Sequence, residues 1–126
     1  MTYKLYGRAG WGSTIVEAQL VWYGLPFTYA DDPSRFVSVN TARDPFRAAT
    51  DAYAQRLWHQ IEGEVGSPWF LGERFSALDI YFGVMTRWRP KRGWFETETP
   101  HLFAIAQRID QMPELTGVWK RNWPAN

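Results

Sequence analysis

The stretch RFSALDIYFGVMTRW, residues 74–88, determines most of the fold prediction, because a complete helix-initiation signal precedes an apolar helix there. Ser76 is placed to act as the N-cap, whose hydroxyl accepts a hydrogen bond from a backbone amide of the first turn. Asp79 follows three residues later, where its carboxylate reaches back to the Ser76 amide and completes a capping box. We therefore predict a helix over about residues 77–88, with Ser76 and Asp79 in a structural capping role.

The residues around this signal indicate that the helix is central to a bundle. Phe75 precedes the cap and is placed to contact Ile80 as a hydrophobic staple. The run LDIYFGVM, residues 78–85, is apolar on nearly all sides, which is typical of a helix surrounded by others. A catalytic Asp79 would need a partner acid or histidine nearby, and the sequence offers none at a suitable spacing.

Helical periodicity characterises most of the chain after Asp44. This residue can cap a long helix that begins at Pro45 and continues, with apolar residues at helical spacing, to about Val65. Another helix begins near residue 100, and a short last one is predicted over about residues 113–121. The fold class we predict is mainly α.

The N-terminal part has a different pattern. YKLYG at residues 3–7 alternates aromatic and polar side chains, which predicts a short strand before a glycine-rich loop. Ser13 or Thr14 can cap the next helix, predicted over about residues 14–23, with Glu17 as the capping-box partner. This order of strand, glycine loop and helix is the opening of an α/β unit.

The segment after this helix allows two interpretations. FTYA at residues 27–30 is either a second strand or, continued to residue 37, the tail of a helix. In the second case residues 3–7 form a strand whose backbone hydrogen-bonding groups have no partner strand, because a single strand and helix cannot form a sheet. We then expect a homodimer formed by strand pairing or segment exchange.

Composition limits the classes of function. The 126 residues include 45% hydrophobic residues and eight tryptophans, enough for a real core. The net charge of +1 gives no reason to expect nucleic acid or an anionic membrane as a partner, and the absence of cysteine excludes disulfides and thiolate ligands. Without a signal peptide or a membrane-spanning segment, we expect a soluble cytoplasmic protein.

Two other groups of polar residues could mark a site. His59 and His101 are far apart in sequence and lack cysteine neighbours, so we expect no metal site. RWRPKR, from Arg87 to Arg92, contains four positive charges and a tryptophan. Such a run is typical of a solvated helix end, and a phosphate or nucleic-acid patch is the alternative.

The stretch PWFLGERFSALDIY, residues 68–81, resembles the C-terminal helical domain of glutathione transferases, in which a capping box and staple open the central helix. The likeness extends from about Asp44 to Pro124. YKLYGRAGWGSTIVEAQLVWYGLPF, residues 3–27, is similar to the family's first strand, active-site loop and first helix. The resemblance implies a helix bundle over residues 31–126, preceded in residues 1–30 by a β-α remnant of a thioredoxin-like domain.

The resemblance also implies a site. In the family, the loop after the first strand supplies a hydroxyl or thiol that stabilises the glutathione thiolate. Ser13 is the nearest candidate for this catalytic role, and simple helix capping is the other interpretation of the same residue. Trp11, Gly12 and Thr14 are the accompanying candidates for binding glutathione, which would be a co-substrate.

Two elements of the family pattern are missing from this sequence. There is no counterpart of the strand that a cis-proline opens, and Val39-Asn40-Thr41 lacks the context of the Glu-Ser or Gln-Ser pair that holds the γ-glutamyl group. Two functions therefore stay open. One is conjugation of glutathione to apolar electrophiles at a site completed, for example, across a dimer. The other is a catalytically inactive, transferase-derived helical module or deletion product, which binds a protein or an apolar ligand.

The remaining aromatic residues are expected to pack in the core or at an interface, and the resemblance implies that some line an apolar cavity. These residues are Tyr29, Tyr53, Trp58, Tyr81, Trp88 and Trp94.

Overall fold

A computed structural model describes residues 2–31, 43–88 and 90–124, with the side chains of residues 31 and 43–47 excepted. Val39-Asn40-Thr41 and the side chains of Asp44 and Pro45 therefore lie outside the described residues. The elements, in chain order, are β1 (Tyr3–Gly7), α1 (Ser13–Trp22), β2 (Phe27–Asp31), α2 (Arg43–Glu62), α3 (Ala77–Met85), α4 (Arg92–Glu98), α5 (Pro100–Asp110), a 3₁₀ helix (Pro113–Leu115) and α6 (Thr116–Asn122). The described part of the chain is thus mainly helical with one small sheet, and the coarse fold class is confirmed.

The chain forms two compact units, and the division falls within α5. One unit contains residues 1–35 together with 107–126, and the other contains residues 36–106. The sequence alone gives no indication that the last helix groups with the first strand and helix. The physical reason lies in buried polar side chains of α1 that bond to α6.

In the unit that holds both chain ends, β1 and β2 pair in parallel, with Tyr3 opposite Phe27 and Gly7 opposite Asp31. A parallel pair needs a crossover connection, and α1 supplies it. The prediction of an unpaired β1 is therefore wrong, and residues 27–31 are a strand and not the tail of a helix. Gly24, at a φ of 64°, ends α1 as the sequence indicates and allows the chain to turn back.

The other unit has an aromatic core. Trp58 lies edge-on to Phe82 and Phe95, with ring centroids 6.0 and 5.2 Å away, and Leu102 completes the cluster. The expectation of core packing is confirmed for Trp58. Tyr53, which is 55% exposed, does not pack in this core, because residues five positions apart on a helix lie on different faces; packing of Tyr53 at an interface stays a prediction.

Tyr81 is also exposed, although its ring contacts that of Phe82. Trp88, Trp94 and Tyr29 are half-buried. Helix α3 thus buries Ile80, Phe82 and Val84 and leaves one aromatic side chain toward solvent.

The start of α3 is fixed by the capping box that the sequence indicates. Ser76 has an extended conformation, and its hydroxyl accepts from the Leu78 amide at 3.3 Å. The Asp79 carboxylate accepts from the Ser76 amide at 2.9 Å and from the Phe70 amide at 2.8 Å. Asp79 is fully buried, and a buried carboxylate needs hydrogen-bond donors. Here the donors are the amide of the helix N-cap and an amide of the preceding loop.

Helix α3 ends at Met85, earlier than predicted, and α4 is a helix that the sequence pattern did not predict. Lys91, at a φ of 90°, precedes α4 and redirects the chain. The next residue, Arg92, donates from Nη2 to the Gly83 carbonyl at 3.0 Å. The basic run is therefore not only a solvated helix end, because it also contains the start of α4, where Arg92 is hydrogen-bonded to α3. Arg89 lies outside the described residues.

Helix α5 begins at Pro100 as predicted, and its cap comes from another helix. The Glu62 carboxylate, at the end of α2, accepts from the amides of His101 and Leu102 at 2.8 and 3.0 Å. Within residues 2–31, 43–88 and 90–124, no helix combines the length and the apolar character that crossing a membrane requires.

Candidate functional site

A pocket of about 370 Å³ lies between the C-terminal half of β1 and the N-terminus of α1. Its lining residues are Leu5, Tyr6, Gly7, Trp11, Gly12, Ser13 and Val16. Three of the four residues that the sequence singled out for glutathione, Trp11, Gly12 and Ser13, thus share one pocket. The fourth, Thr14, is not part of the lining.

Two glycines allow the loop between β1 and α1 to adopt the conformation that forms the pocket wall. A Cβ on Gly7 would overlap the Cβ and Oγ of Ser13, so only glycine leaves room for that serine. Gly10 has a φ of 78°, in the left-handed region that glycine adopts readily. The Trp11 amide then donates to the Arg8 carbonyl at 3.1 Å and closes the turn that leads into α1.

Ser13 is half-buried at the pocket wall and bonds to the backbone of Arg8. Its Oγ accepts from the Arg8 amide at 3.2 Å and donates to the Arg8 carbonyl at 3.3 Å. The predicted capping by Ser13 or Thr14 is wrong: the N-cap is Gly12, without a side-chain cap bond, because the serine hydroxyl is bonded to the loop. The first distance is at the upper limit for an N–H···O bond and the second exceeds the usual range for an O–H···O bond, so both bonds are weak.

The same wall presents backbone donors. The amides of Gly12 and Ser13 have no hydrogen-bond partner among the described residues, as expected for the first turn of a helix. The Arg8 guanidinium lies 5.3 Å from the ring centroid of Trp11, which adds a positive charge beside the pocket. Orphan amides, the positive end of the α1 dipole and a cation together favour an anionic ligand group.

Thr14 is fully buried and is not among the residues that line the pocket. Its Oγ1 donates to Oδ1 of Asn122 on α6 at 2.7 Å. Glu17 is also buried, accepts from Asn122 Nδ2 at 3.0 Å and forms an ion pair with Arg121. Thr14 and Glu17 therefore face α6, and the capping role that the sequence analysis gave to Glu17 is wrong.

We call the residues Gly10, Thr14, Glu17, Arg121 and Asn122 the Asn122 network. The sequence does not reveal this network, because its two parts are separated by more than a hundred positions. A signal was nonetheless present: Thr14 and Glu17 are three residues apart and thus share a helix face. Two buried polar residues on one face need polar partners.

Tyr29 connects this network to the sheet. The Arg121 guanidinium carbon lies 4.1 Å from the Tyr29 ring centroid. The Tyr29 hydroxyl is buried and has no hydrogen-bond partner among the described residues, and it lies 3.5 Å from the position of a Cβ on Gly7. A buried phenol is therefore close to the wall of the pocket.

The histidines are engaged elsewhere. The His59 ring lies 5.2 Å from that of Trp94, and His101 Nδ1 is 2.7 Å from Glu62 Oε1. In the part of the chain that the structure describes, no three His, Asp or Glu side chains cluster closely enough to hold a metal ion.

Comparisons with known proteins give one informative similarity. No family model matches the chain, and no solved structure matches it. An Escherichia coli (strain K12) protein described as an uncharacterized GST-like protein, YncG, is 30% identical over 97 residues. The match covers 76% of this chain and 46% of the relative, so the chain spans about half the length of the curated protein that it matches. This similarity supports a GST-like relationship.

Proposed function

We propose that this chain is a GST-like protein that binds the thiolate of glutathione in the pocket at the N-terminus of α1. The observation that supports this most is the set of groups at one small pocket: the amides of Gly12 and Ser13, and the Ser13 hydroxyl, which would exchange its weak bond to the Arg8 carbonyl for one to sulfur. The Arg8 cation lies beside them, against Trp11. Each of these groups interacts more favourably with a sulfur anion than with a neutral thiol. They would therefore lower the pKa of the bound thiol.

The proposed chemistry is conjugation of glutathione to an apolar electrophile. The thiol proton is released to solvent, and the sulfur electron pair then attacks the electrophilic carbon. For an aryl halide, a carbon–sulfur bond forms, the carbon–halogen bond breaks, and halide leaves. Leu5 and Val16 provide apolar wall at the same pocket, which suits an uncharged electrophile.

The thiolate end accounts for only part of glutathione. The described residues form a two-stranded sheet, and the pocket of about 370 Å³ has no second group of donors for the γ-glutamyl end among its lining residues. We propose that a second copy of the chain completes the site in a homodimer, in the cytoplasm. Half of a site would otherwise lose most of the binding energy.

A second candidate function is a catalytically inactive, transferase-derived binding module. It is favoured by the two hydrogen bonds between the Ser13 hydroxyl and the Arg8 backbone, which are sufficient to explain Ser13 as a structural residue. In that case the pocket binds apolar molecules without activating a thiol.

Titration calorimetry distinguishes the two functions. The intact protein is titrated with glutathione and with S-methylglutathione, which lacks the ionisable thiol; Ser13→Ala and Thr116→Ala are titrated in the same way. Thr116 is a matched control, because it is an exposed hydroxyl residue that also begins a helix.

If the proposal is right, glutathione binds more tightly than its methyl thioether, and Ser13→Ala weakens binding by about tenfold or more, the usual effect of losing a hydrogen bond to a charged group. Thr116→Ala binds like the original protein. Equal binding of the two ligands, or no heat with millimolar glutathione, would favour the inactive module.

A further inference from the structure

We infer that Asn122, in the last turn of α6, is a positioning residue for the pocket. It fixes the segment of residues 10–14, which contains the backbone donors of the site. The inference rests on the proposed function only for its ligand readout, because the position of the segment can be measured without a ligand.

The Asn122 side chain uses its whole hydrogen-bonding capacity inside one unit of the protein. Oδ1 accepts from the Gly10 amide at 2.8 Å and from the Thr14 hydroxyl at 2.7 Å. Nδ2 donates to Glu17 Oε2 at 3.0 Å and to the Val118 carbonyl at 2.9 Å. Asn122 is 6% exposed, so water does not compete for these four bonds.

The two bonds to Oδ1 join both ends of a five-residue segment to one oxygen atom. Gly10 begins this segment and Thr14 ends it, and between them lie the pocket residues Trp11, Gly12 and Ser13. Fixing both ends on one atom restricts the directions in which the intervening amides point. The orientation of those amides determines how well they bind an anion.

The bonds from Nδ2 fix which way the amide group of Asn122 faces. The Glu17 carboxylate accepts from this nitrogen and also pairs with Arg121, whose guanidinium lies over Tyr29 of β2. A carboxylate can only accept hydrogen bonds, so the Nδ2 donor of Asn122 must face Glu17 and the Oδ1 acceptor must face Gly10 and Thr14. The last helix, α1 and β2 thus determine the shape of the loop together.

A merely structural role for Asn122 would attach α6 to α1 and affect stability alone. The test therefore compares Asn122→Ala with Val118→Ala, a cavity-forming change at another buried residue of α6 that keeps the backbone carbonyl to which Asn122 Nδ2 donates. A third variant, Asn122→Asp with Glu17→Gln, keeps an oxygen acceptor for Gly10 and Thr14 and reverses the bond between positions 122 and 17, but it loses the bond to the Val118 carbonyl.

Two readouts are measured on the full chain: the hydrogen-exchange rate of the Gly10 amide by NMR, and the affinity for glutathione. We expect Asn122→Ala to accelerate Gly10 exchange and to weaken glutathione binding by about tenfold each, the effect of losing one well-made hydrogen bond. Val118→Ala should leave the binding close to that of the original protein, and the double variant, which keeps an acceptor for Gly10 and Thr14, should recover part of both losses.

The inference is overturned if Val118→Ala changes both readouts as much as Asn122→Ala does, or if Asn122→Ala changes neither. If Asn122→Ala does not fold, Thr14→Val, which removes one of the two bonds to Oδ1 with little change in shape, is compared in its place. If the original protein does not bind glutathione, the proposed function fails, and the Gly10 exchange rate alone decides the inference.

Discussion

The hydroxyl of Thr14 donates a 2.7 Å hydrogen bond to the side-chain carbonyl of Asn122, and this buried bond joins residues that are 108 positions apart. It brings the last helix of the chain against the first. Together with the bond from the Gly10 amide, it explains why the loop before α1 belongs to the same compact unit as the C-terminal residues.

Replacing Thr14 by valine tests this relationship. Valine has nearly the same shape but no hydroxyl, so Oδ1 of Asn122 keeps one donor instead of two. We expect a loss of about 1–2 kcal/mol in the free energy of unfolding, measured with urea. Thr14→Ser keeps the hydroxyl and should lose less. If the serine variant proved less stable than the valine variant, methyl packing would outweigh the hydrogen bond.

Gly7 is predicted to be intolerant of any side chain. A Cβ there would overlap Ser13, whose own Cβ cannot rotate away, so Gly7→Ala should destabilise the protein by about 1–3 kcal/mol through overpacking. The double variant Gly7→Ala with Ser13→Gly should recover part of this loss. Gly93→Ala is the control: it lies in α4 with no atom near its Cβ, and we expect no loss, or a small gain, in thermal stability.

In the ion pair between Glu17 and Arg121, the buried Glu17 carboxylate should depend on its partner more than the partly exposed Arg121 guanidinium does. The Glu17 side chain is 4% exposed, whereas that of Arg121 is 40% exposed and partly screened by water. Arg121→Met leaves a buried carboxylate without its cation, and we expect a loss of about 2 kcal/mol after allowing for this screening. In a double-mutant cycle, adding Glu17→Gln should recover stability; a purely additive cycle would contradict the coupling.

The capping box of α3 predicts an order of effects. Asp79 is fully buried and accepts from two amides, whereas the bond from Leu78 to Ser76 is exposed and 3.3 Å long. We expect Asp79→Ala to cost about 3 kcal/mol and Ser76→Ala about 1 kcal/mol in chemical unfolding. Equal effects would mean that the buried carboxylate contributes no more than an ordinary cap.

The sequence predicts the parts of this fold that depend on neighbouring residues. Ser76 and Asp79 are three positions apart, so the start of α3 could be located from local chemistry. The start of α5 could be located from Pro100, a residue type that suits the first helical position, whereas the carboxylate that caps this helix comes from Glu62 on α2. Helix α4 was not predicted, because it is only seven residues long and follows a backbone turn at Lys91 that the sequence does not reveal.

The resemblance to the family's loop after the first strand is what singled out Trp11, Gly12 and Ser13. The structure places these three residues at one pocket, and their role in binding glutathione stays a prediction. The role of Thr14 depends on Asn122. The helix face that Thr14 shares with Glu17 indicates that polar partners are needed, but it does not identify a residue 108 positions away. Ser13 was expected to cap α1 and instead bonds to Arg8, because Gly7 makes room for it at the loop.

The central claim is that this pocket favours a thiolate, and the ultraviolet absorbance of glutathione bound to the protein measures it most directly. The absorbance is followed as pH is raised, for free glutathione, for the complex, and for the complex with Ser13→Ala. We predict that the thiolate appears at lower pH in the complex than in free solution, and that Ser13→Ala moves its appearance back toward the free value. Titration of bound glutathione at the same pH as free glutathione would contradict the account.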